Sequence, residues 1–431
     1  MSTFLKDISR VGLSKVIIIF SGLASSIITA RYLGPEKNGI IAALIVYPGL
    51  FMTVGSLGVR QSATYFLGKK IYSEKEIKIA ITQIWLFTTL ISLMTCFILM
   101  RNFSNSGDKL FWVLLALAPL PFSLFNTYNS GIFLGKNDIK TFNKINWIPS
   151  LLSFTGVVIF VISIKMDVSG ALMASIFGPL IMSLILLFKN KLIQSFNFRY
   201  NWTIIKSMLS VGIVYALALL IINLNTRVDI VILDKLSSPT EMGIYAKGSS
   251  LVQYMWQIPM ILGTIIFARS SVSKRDKEFS LKVTQLLRIS FFIISILAIL
   301  LYVVSPTLIL TLFGNKFFGS ILVLRLLLPG VVIYTIFIVM NMDLAGKGKP
   351  WVSMKAMVPA LIVNIVLNLL VIPEHGANGA SLSSTISYTI AGLLFLHFYS
   401  KEVKIPIKEI LKYKKTDFDP ILLIIKRKKT K

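Results

Sequence analysis

The chain has 431 residues, of which 55% are hydrophobic and only 15% are charged, whereas about one quarter of the residues in a soluble globular domain are charged. Apolar segments of about 20 residues, each long enough to cross a bilayer, recur between short polar breaks. These features exclude an ordinary soluble protein. They predict an all-α polytopic membrane protein.

The excess of basic residues does not by itself indicate a nucleic-acid partner. The formal net charge is +27, but membrane proteins concentrate Lys and Arg in their cytoplasmic loops. The single cysteine, Cys96, excludes an intramolecular disulfide and a thiolate cluster, and His375 and His397 are too few for a polyhistidine metal site. We therefore expect no cofactor, no metal site and no nucleic-acid partner.

The apolar segments predict twelve transmembrane helices. The first apolar run, at 16–30, is long for a cleaved signal peptide, so we expect it to be retained as a helix. The predicted helices lie near residues 12–30, 39–59, 77–100, 110–134, 145–164, 168–188, 207–233, 243–268, 283–304, 319–345, 351–372 and 377–399.

Lys and Arg residues are distributed unevenly between alternate connections of these helices. The two termini and the even-to-odd connections together hold 32 of them, and the odd-to-even connections hold seven. Cytoplasmic segments of membrane proteins carry the excess of Lys and Arg. The count therefore predicts an even number of helices with both termini in the cytoplasm.

A weak internal repeat relates the two halves of the chain. Residues 34–40 match residues 238–244, and further matches follow at offsets of 209 to 211, at Gly135-Lys136 with Gly346-Lys347, Pro149 with Pro359 and Gly170-Ala171 with Gly379-Ala380. Each six-helix half crosses the membrane an even number of times, so the halves would be related by an axis along the membrane normal, as in two-lobed transporters. The predicted divisions are an N-terminal lobe at 1–188, a basic cytoplasmic linker at 189–206, a C-terminal lobe at 207–400 and a basic cytoplasmic tail at 401–431.

The first predicted helix has one polar face. At about 100° per residue, one stripe of this helix contains Ser14, Ser21, Ser25 and Thr29, with Lys15 beside it. This face is expected to line a cavity. The alternative is that its small residues only allow close helix packing.

The seventh predicted helix carries two polar stripes. Asn223 and Arg227 are four residues apart, as are Asn225 and Asp229, whereas Arg227 and Asp229 are two apart and do not face each other. A simple intrahelical salt bridge is therefore excluded, and at least one stripe is expected to face a central cavity. The alternative is that the helix ends near Asn225 and that these groups lie at the outer interface.

Basic residues within or beside the spans suggest a cationic central cavity, which would select an anion. A charge at the middle of a bilayer is costly, so one that is kept there usually faces water or a partner. Arg288, Arg325 and Lys355 lie near helix ends and are expected to extend to the interface instead. The candidates for the cavity are Lys15, Arg31, Arg60, Arg227 and Lys247.

Several short motifs occur in a characteristic order along the chain. They are Ala30-Arg31-Tyr32-Leu33-Gly34-Pro35 followed by Gly39, then Gly58 and Arg60, then Arg227-Val228-Asp229 followed by Gly243-Ile244-Tyr245, and finally Gly376, Gly379, Ala380 and Ser381. In these residues the chain resembles the polysaccharide-transport branch of the multidrug/oligosaccharidyl-lipid/polysaccharide flippase superfamily, in particular a Wzx-type O-antigen or capsule repeat-unit flippase.

The resemblance implies a twelve-helix, two-lobed protein of the bacterial inner membrane that is a transporter and not an enzyme. Its substrate would be an undecaprenyl-pyrophosphate-linked oligosaccharide, moved from the cytoplasmic to the periplasmic leaflet by alternating access. The five basic residues would bind the substrate. Asp229 or Glu36 would provide proton or sodium coupling, and Ser21, Ser25, Asn223 and Asn225 would form the polar face of the cavity.

The expected partners also include anionic lipids and two proteins of the same pathway, a glycan polymerase and a chain-length regulator. The tail from residue 401 mixes basic residues with apolar ones such as Ile405, Ile410 and Leu411, and we expect it to lie on the inner leaflet.

Two other functions remain open. A multidrug or cation antiporter of the same superfamily would favour acidic residues in the lobes, whereas the charges within these spans are mostly basic. A membrane glycan polymerase or ligase would carry catalytic groups on large outer loops, and the longest outer connection here has about 16 residues without a recognisable catalytic set.

Overall fold

The computed structural model describes residues 2–136, 138–196, 200–270, 273, 276–414 and 417. All regular secondary structure in these residues is helical, which confirms the all-α fold. Nine helices of the described chain are long and apolar enough to cross a membrane, and one bent helix pair makes a tenth candidate. The chain is therefore a polytopic membrane protein, as predicted.

The helices are numbered in chain order. They are α1 (Ser2–Gly55), α2 (Val59–Gly68), α3 (Glu74–Phe103), α4 (Leu110–Leu117), α5 (Pro119–Gly135), α6 (Ile139–Ile145), α7 (Ile148–Val157), α8 (Asp167–Lys189), α9 (Trp202–Leu236), α10 (Pro239–Met255), α11 (Gln257–Ser270), α12 (Asp276–Phe313), α13 (Ser320–Gly346), α14 (Val352–Val403) and α15 (Ile407–Leu411). A π-helical turn, Val158–Ser163, extends α7, and short 3-10 turns occupy Leu192–Ser195 and Asn315–Phe317.

Two of the long helices each contain a break that divides them into two spans. Gly34 in α1 has φ 72° and Gly376 in α14 has φ 48°, in the left-handed region that favours glycine. Asn38 donates to the carbonyl oxygens of Thr29 (2.8 Å) and Gly34 (2.7 Å), which satisfies backbone groups on both sides of the first break. When α1 and α14 are divided at these glycines, the described spans correspond to the twelve predicted helices.

Proline explains where single predicted helices are interrupted. The predicted helix at 110–134 consists of α4 and α5, which meet at Ala118 just before Pro119. The predicted helix at 243–268 consists of α10 and α11, which are bent by 46° beside Trp256, three residues before Pro259. Proline has no backbone N–H to continue a helix, and each of the two interruptions lies beside a proline.

The seventh predicted span is a single continuous helix, α9 (Trp202–Leu236). It runs well past Asn225, so the alternative in which the helix ends there is excluded. Asn223, Arg227 and Asp229 therefore lie within a membrane-spanning helix.

The chain packs into two compact units. The first contains Met1–Lys247 and Leu312–Phe317, and the second contains Gly248–Thr311 and Phe318–Lys431. In the first unit α9 packs against α1 and α2. A close approach joins Gly212 of α9 to the turn before α2: a β-carbon on Gly58 would overlap the backbone of Gly212, and one on Gly212 would overlap the carbonyl of Leu57. The predicted six-helix lobes and the linker at 189–206 stay predictions.

A buried carboxylate that the sequence analysis did not identify connects four helices at one end of the second unit. Asp343 on α13 accepts hydrogen bonds at 2.7 Å from each of three hydroxyls, and Lys347 pairs with it at 3.0 Å. The hydroxyls are those of Ser270, Ser280 and Tyr399. These contacts join the end of α11 to α12, α13 and α14.

The segment after α14 corrects two predictions. Residues 401–403 belong to α14, and Ile405 and Ile410 are buried in the protein, not inserted into lipid. Arg288 on α12 does not extend to the interface but is 5% exposed and binds Asp417 with two hydrogen bonds of 2.7 Å. A buried bidentate ion pair therefore anchors this segment, while the predicted tail beyond residue 417 lies outside the described residues.

Candidate functional site

The connections of the first unit meet at two opposite ends. At one end Lys37 pairs with Asp167 (2.8 Å), and Arg31 Nε donates to the carbonyl oxygen of Leu312 (3.0 Å). At the other end Lys136 pairs with Glu74 at 2.9 Å. The Lys and Arg count of the sequence analysis assigns the first of these ends to the outer side of the membrane and the second end to the cytoplasm. The assignment of the second end to the cytoplasm stays a prediction.

Two of the predicted substrate-binding cations lie close together in the first unit. Lys15 on α1 and Arg60 in the first turn of α2 are within electrostatic range of each other. Lys15 is half-buried. The Arg60 side chain is exposed to solvent, and many protein atoms lie near its guanidinium group. Within the described part of the chain, neither side chain has a carboxylate partner. The pair therefore forms a positively charged point at the predicted cytoplasmic end.

Arg227 lies deeper in the membrane-spanning part of the first unit. At about 1.5 Å per residue it is about 13 Å from the end of α9 at Leu236. Its guanidinium rests against Gly49 of α1, and a β-carbon at Gly49 would lie 3.2 Å from Arg227 Nη1. The absence of a side chain at residue 49 makes room for the guanidinium.

The remaining two predicted cations are both engaged with protein groups. Lys247 is 7% exposed and donates to Ser26 O (3.0 Å), Ser26 Oγ (3.1 Å) and Thr29 Oγ1 (3.0 Å) on α1. Arg31 is exposed, and its Nε donates a hydrogen bond to the carbonyl oxygen of Leu312 at the end of α12. In this structure Lys247 therefore ties α10 to α1 and does not face an open cavity, because α1 provides oxygen acceptors directly opposite it.

The two candidate coupling carboxylates differ in their surroundings. Asp229 is 1% exposed, accepts a hydrogen bond from the Tyr245 hydroxyl and accepts another from the backbone N–H of Ile230 (2.8 Å). Glu36 is exposed beside the break at Gly34. Arg227 contacts α1, whereas Asp229 contacts α10. This difference agrees with the two polar stripes predicted for this helix. The coupling roles stay predictions.

The predicted polar face is only partly accessible. Ser21 and Asn225 are 1% and 0% exposed, so they pack within the protein here and do not face an open cavity. Ser25 and Asn223 are half-buried, and each donates to the carbonyl four residues earlier in its own helix. These small polar residues on α1 and α9 therefore contribute to helix packing, in addition to the predicted role of lining a cavity.

The two segments of the internal repeat touch each other. A β-carbon at Gly39 would overlap the carbonyl of Pro239, and a β-carbon at Gly243 would overlap the carbonyl of Pro35. Each glycine thus contacts the proline of the matching segment, as expected for two segments related by a local two-fold axis. We call this contact between residues 34–40 and 238–244 the repeat seam.

Valine at Gly39 should prevent the repeat seam from closing, because its side chain would occupy the position of the Pro239 carbonyl. We expect spin labels at Glu36 and Thr240, both exposed, to report a longer distance than in the otherwise unchanged labelled protein. Gly68→Ala is the matched control, since a β-carbon there would meet only an ordinary contact at 3.9 Å. An unchanged distance in Gly39→Val would show that the seam does not depend on this glycine.

Over 93 residues the chain is 25% identical to the "Probable low-salt glycan biosynthesis flippase Agl15" of Haloferax volcanii, a match that covers 22% of this chain and 20% of that protein. The chain thus spans about a fifth of the length of that curated relative.

Two solved structures share the fold. One is the lipid II flippase MurJ in an inward closed conformation, with a TM-score of 0.75, 15% identity, and coverage of 93% of this chain and 89% of that one. The other is an inward-facing multidrug resistance MATE family transporter of the MOP superfamily, with a TM-score of 0.74, 15% identity, and coverage of 94% and 99%. Both likenesses concern the fold alone.

The family comparison covers more than half of the sequence. A family model described as "Polysaccharide biosynthesis protein" matches residues 4–268, which include α1 from its third residue, α2 to α10 and the five candidate cations. The chain therefore belongs to the polysaccharide biosynthesis protein family.

Proposed function

We propose that this protein is a flippase that moves an undecaprenyl-pyrophosphate-linked oligosaccharide from the cytoplasmic to the outer leaflet of the bacterial inner membrane. The repeat units would serve surface polysaccharide synthesis of the O-antigen or capsule type. Transport would involve no covalent chemistry, and both termini would lie in the cytoplasm.

The observation that carries the proposal is the pair Lys15 and Arg60. Two like charges held close together disfavour each other's charged forms, so an anion that contacts both would be stabilised there. No carboxylate among the described residues neutralises these two. A pyrophosphate, with at least two negative charges, would provide the missing counter-charge, and Arg60 suits it because a guanidinium binds phosphate oxygens bidentately.

The positions of the cations also suggest the direction of transport. Lys15 and Arg60 would receive the pyrophosphate at the cytoplasmic end, and Arg227, deeper in the first unit, would hold it next. The repeat seam closes the first unit at the opposite end, so the seam would have to part before release. The polyprenyl chain would remain in lipid, since its burial in a polar path would be unfavourable.

The proposal also includes an ion-coupling residue, a lipid contact and two protein partners. Asp229 is a better candidate for proton or sodium coupling than Glu36, because it is buried and hydrogen-bonded by Tyr245. The basic tail would bind anionic lipids. A glycan polymerase and a chain-length regulator of the same pathway would act on the product in the outer leaflet.

The test is lipid-linked glycan analysis in a strain lacking the gene. We expect polyprenyl-pyrophosphate repeat units to accumulate while the surface polymer disappears, and the wild-type gene should reverse both effects. Intact surface glycan together with new sensitivity to cationic drugs would instead support the antiporter. Loss of polymer without lipid-linked repeat units would contradict the proposal and indicate a step before translocation.

A further inference from the structure

A second buried carboxylate of the first unit has no place in the function described so far. Asp234 lies in the last turn of α9 and is 2% exposed. Ser104 and the backbone of Asn105 donate hydrogen bonds to its carboxyl group, and the Asn105 side-chain amide donates to its backbone carbonyl. Among the described residues, its atom Oδ2 has no hydrogen-bond partner.

A buried phenol lies within electrostatic range of this carboxyl group. Tyr47 on α1 is 4% exposed, its hydroxyl also lacks a partner among the described residues, and it lies within electrostatic range of Asp234. The other titratable groups within range of the two residues are the exposed Lys235 on α9 and the buried Cys96 on α3. No Lys or Arg in the described ranges forms an ion pair with Asp234. Within the described part of the chain, the carboxyl group is thus buried without an ion-pair partner.

A proton is the ligand that suits this site. An ionised carboxylate is costly to bury without a partner, and protonation removes that cost. A metal ion would need several oxygen ligands, and the described residues contain no group of three or more acidic, cysteine or histidine side chains. A proton needs only the one unpartnered oxygen, Oδ2.

The position of Asp234 connects this proton to the repeat seam. Asp234 is five residues before Pro239, and the Asn105 amide fixes its backbone at the same end of the first unit. We propose that Asp234 is protonated while the repeat seam is closed, and that it releases this proton to the adjoining solution when the seam parts and water reaches the carboxyl group.

The proposal predicts a pH-dependent conformational equilibrium. Because the closed form binds one proton more than the open form, acidification of the solution at this end favours closure, and alkaline conditions favour opening. The step is the dissociation of a carboxylic acid into a carboxylate and a proton. It involves no glycan substrate, so it can be tested even if the proposed transport function is wrong.

The experiment measures the distance between spin labels at Glu36 and Thr240 in a Cys96→Ala background, in purified full-length protein between about pH 5 and about pH 9. We expect the population with the longer distance to grow as the pH rises. Asp234→Asn, which has nearly the shape of a protonated carboxyl, should stay closed at every pH. Asp108→Asn is the matched control, because it removes an exposed carboxylate from the connection that contains Asn105, outside the repeat seam, and should retain the pH response.

Three results would overturn the proposal: no pH response in the parent protein, an unchanged response in Asp234→Asn, or a response that follows sodium concentration at constant pH. If Asp234→Asn does not fold, Asp234→Glu provides the alternative variant, since it keeps a titratable group on a longer side chain. It should respond to pH with a displaced midpoint. A midpoint identical to that of the parent protein would show that another group titrates.

Discussion

Replacing Arg227 by Gln should lower glycan export by about 10- to 100-fold while leaving the amount of protein in the membrane unchanged. Under the proposed function, the lost interaction would be a charged hydrogen bond to phosphate within the membrane, and such bonds contribute about 1.5–3 kcal/mol. Arg227→Lys should retain part of the activity, because it keeps the charge and loses the bidentate geometry. Surface polymer per cell, with protein quantified in parallel, provides the measurement.

Two further variants separate the position of the guanidinium from its charge. Gly49→Leu keeps Arg227 but fills the space against which its guanidinium rests, so it should reduce export nearly as much as Arg227→Gln. Arg325→Gln is the matched control, since Arg325 lies in a span but contacts Ser305 Oγ (3.0 Å) and the Tyr302 ring in the second unit. Equal losses in Arg325→Gln and Arg227→Gln would mean that any charge removal impairs the protein.

Replacing Asp417 by Ala should lower the free energy of unfolding by about 3–5 kcal/mol. Arg288 would then remain buried without its carboxylate, and two charged hydrogen bonds of 2.7 Å would be lost. Equilibrium unfolding in mixed micelles measures the change. Lys282→Ala on the same helix removes an exposed pair of 3.5 Å, and it should change the stability by about 0–1 kcal/mol.

Removing both partners should be far less harmful than removing one. Arg288→Met combined with Asp417→Leu leaves no buried charge, so the double variant should recover most of the lost stability. A double variant as unstable as Asp417→Ala would show that the stability comes from the ion pair itself and that the unpaired charge of Arg288 is not the cause of the loss.

Acidification should weaken the same anchor. Hydrogen bonding to Arg288 holds the pKa of Asp417 below its ordinary value of 3.8, so the ionised carboxylate stabilises the folded chain at neutral pH. That stabilisation is lost as the pH falls below the ordinary value and through the lowered pKa.

Much of the fold follows from the sequence because hydrophobic length and helix breakers are local properties. The break at Gly34 follows from Gly34-Pro35, and the persistence of α9 past Asn225 follows from the apolar residues that continue the helix. The bend at Trp256 was missed because Pro259 allows a helix to continue in some settings and interrupts it in others. Only packing decides between these outcomes.

The sequence selected candidate residues for the site, and their roles stay predictions. Lys15, Arg60 and Arg227 were selected because a charge within or beside a span is costly wherever it occurs. The sequence did not indicate that Lys247 bonds to Ser26 and Thr29, which lie more than 200 residues away. Asp417, Asp343 and Asp234 were missed for the same reason, since the partners of each are distant in sequence or on other helices.

The most direct test of the account is translocation in proteoliposomes that contain only the purified protein and a polyprenyl-pyrophosphate-linked oligosaccharide. A membrane-impermeant enzyme that cleaves the glycan reports how much substrate reaches the outer leaflet. We predict that wild-type protein exposes substrate that was initially protected, and that the variant with both Lys15→Gln and Arg60→Gln does so far more slowly. Equal exposure in protein-free liposomes, or full activity in that double variant, would contradict the account.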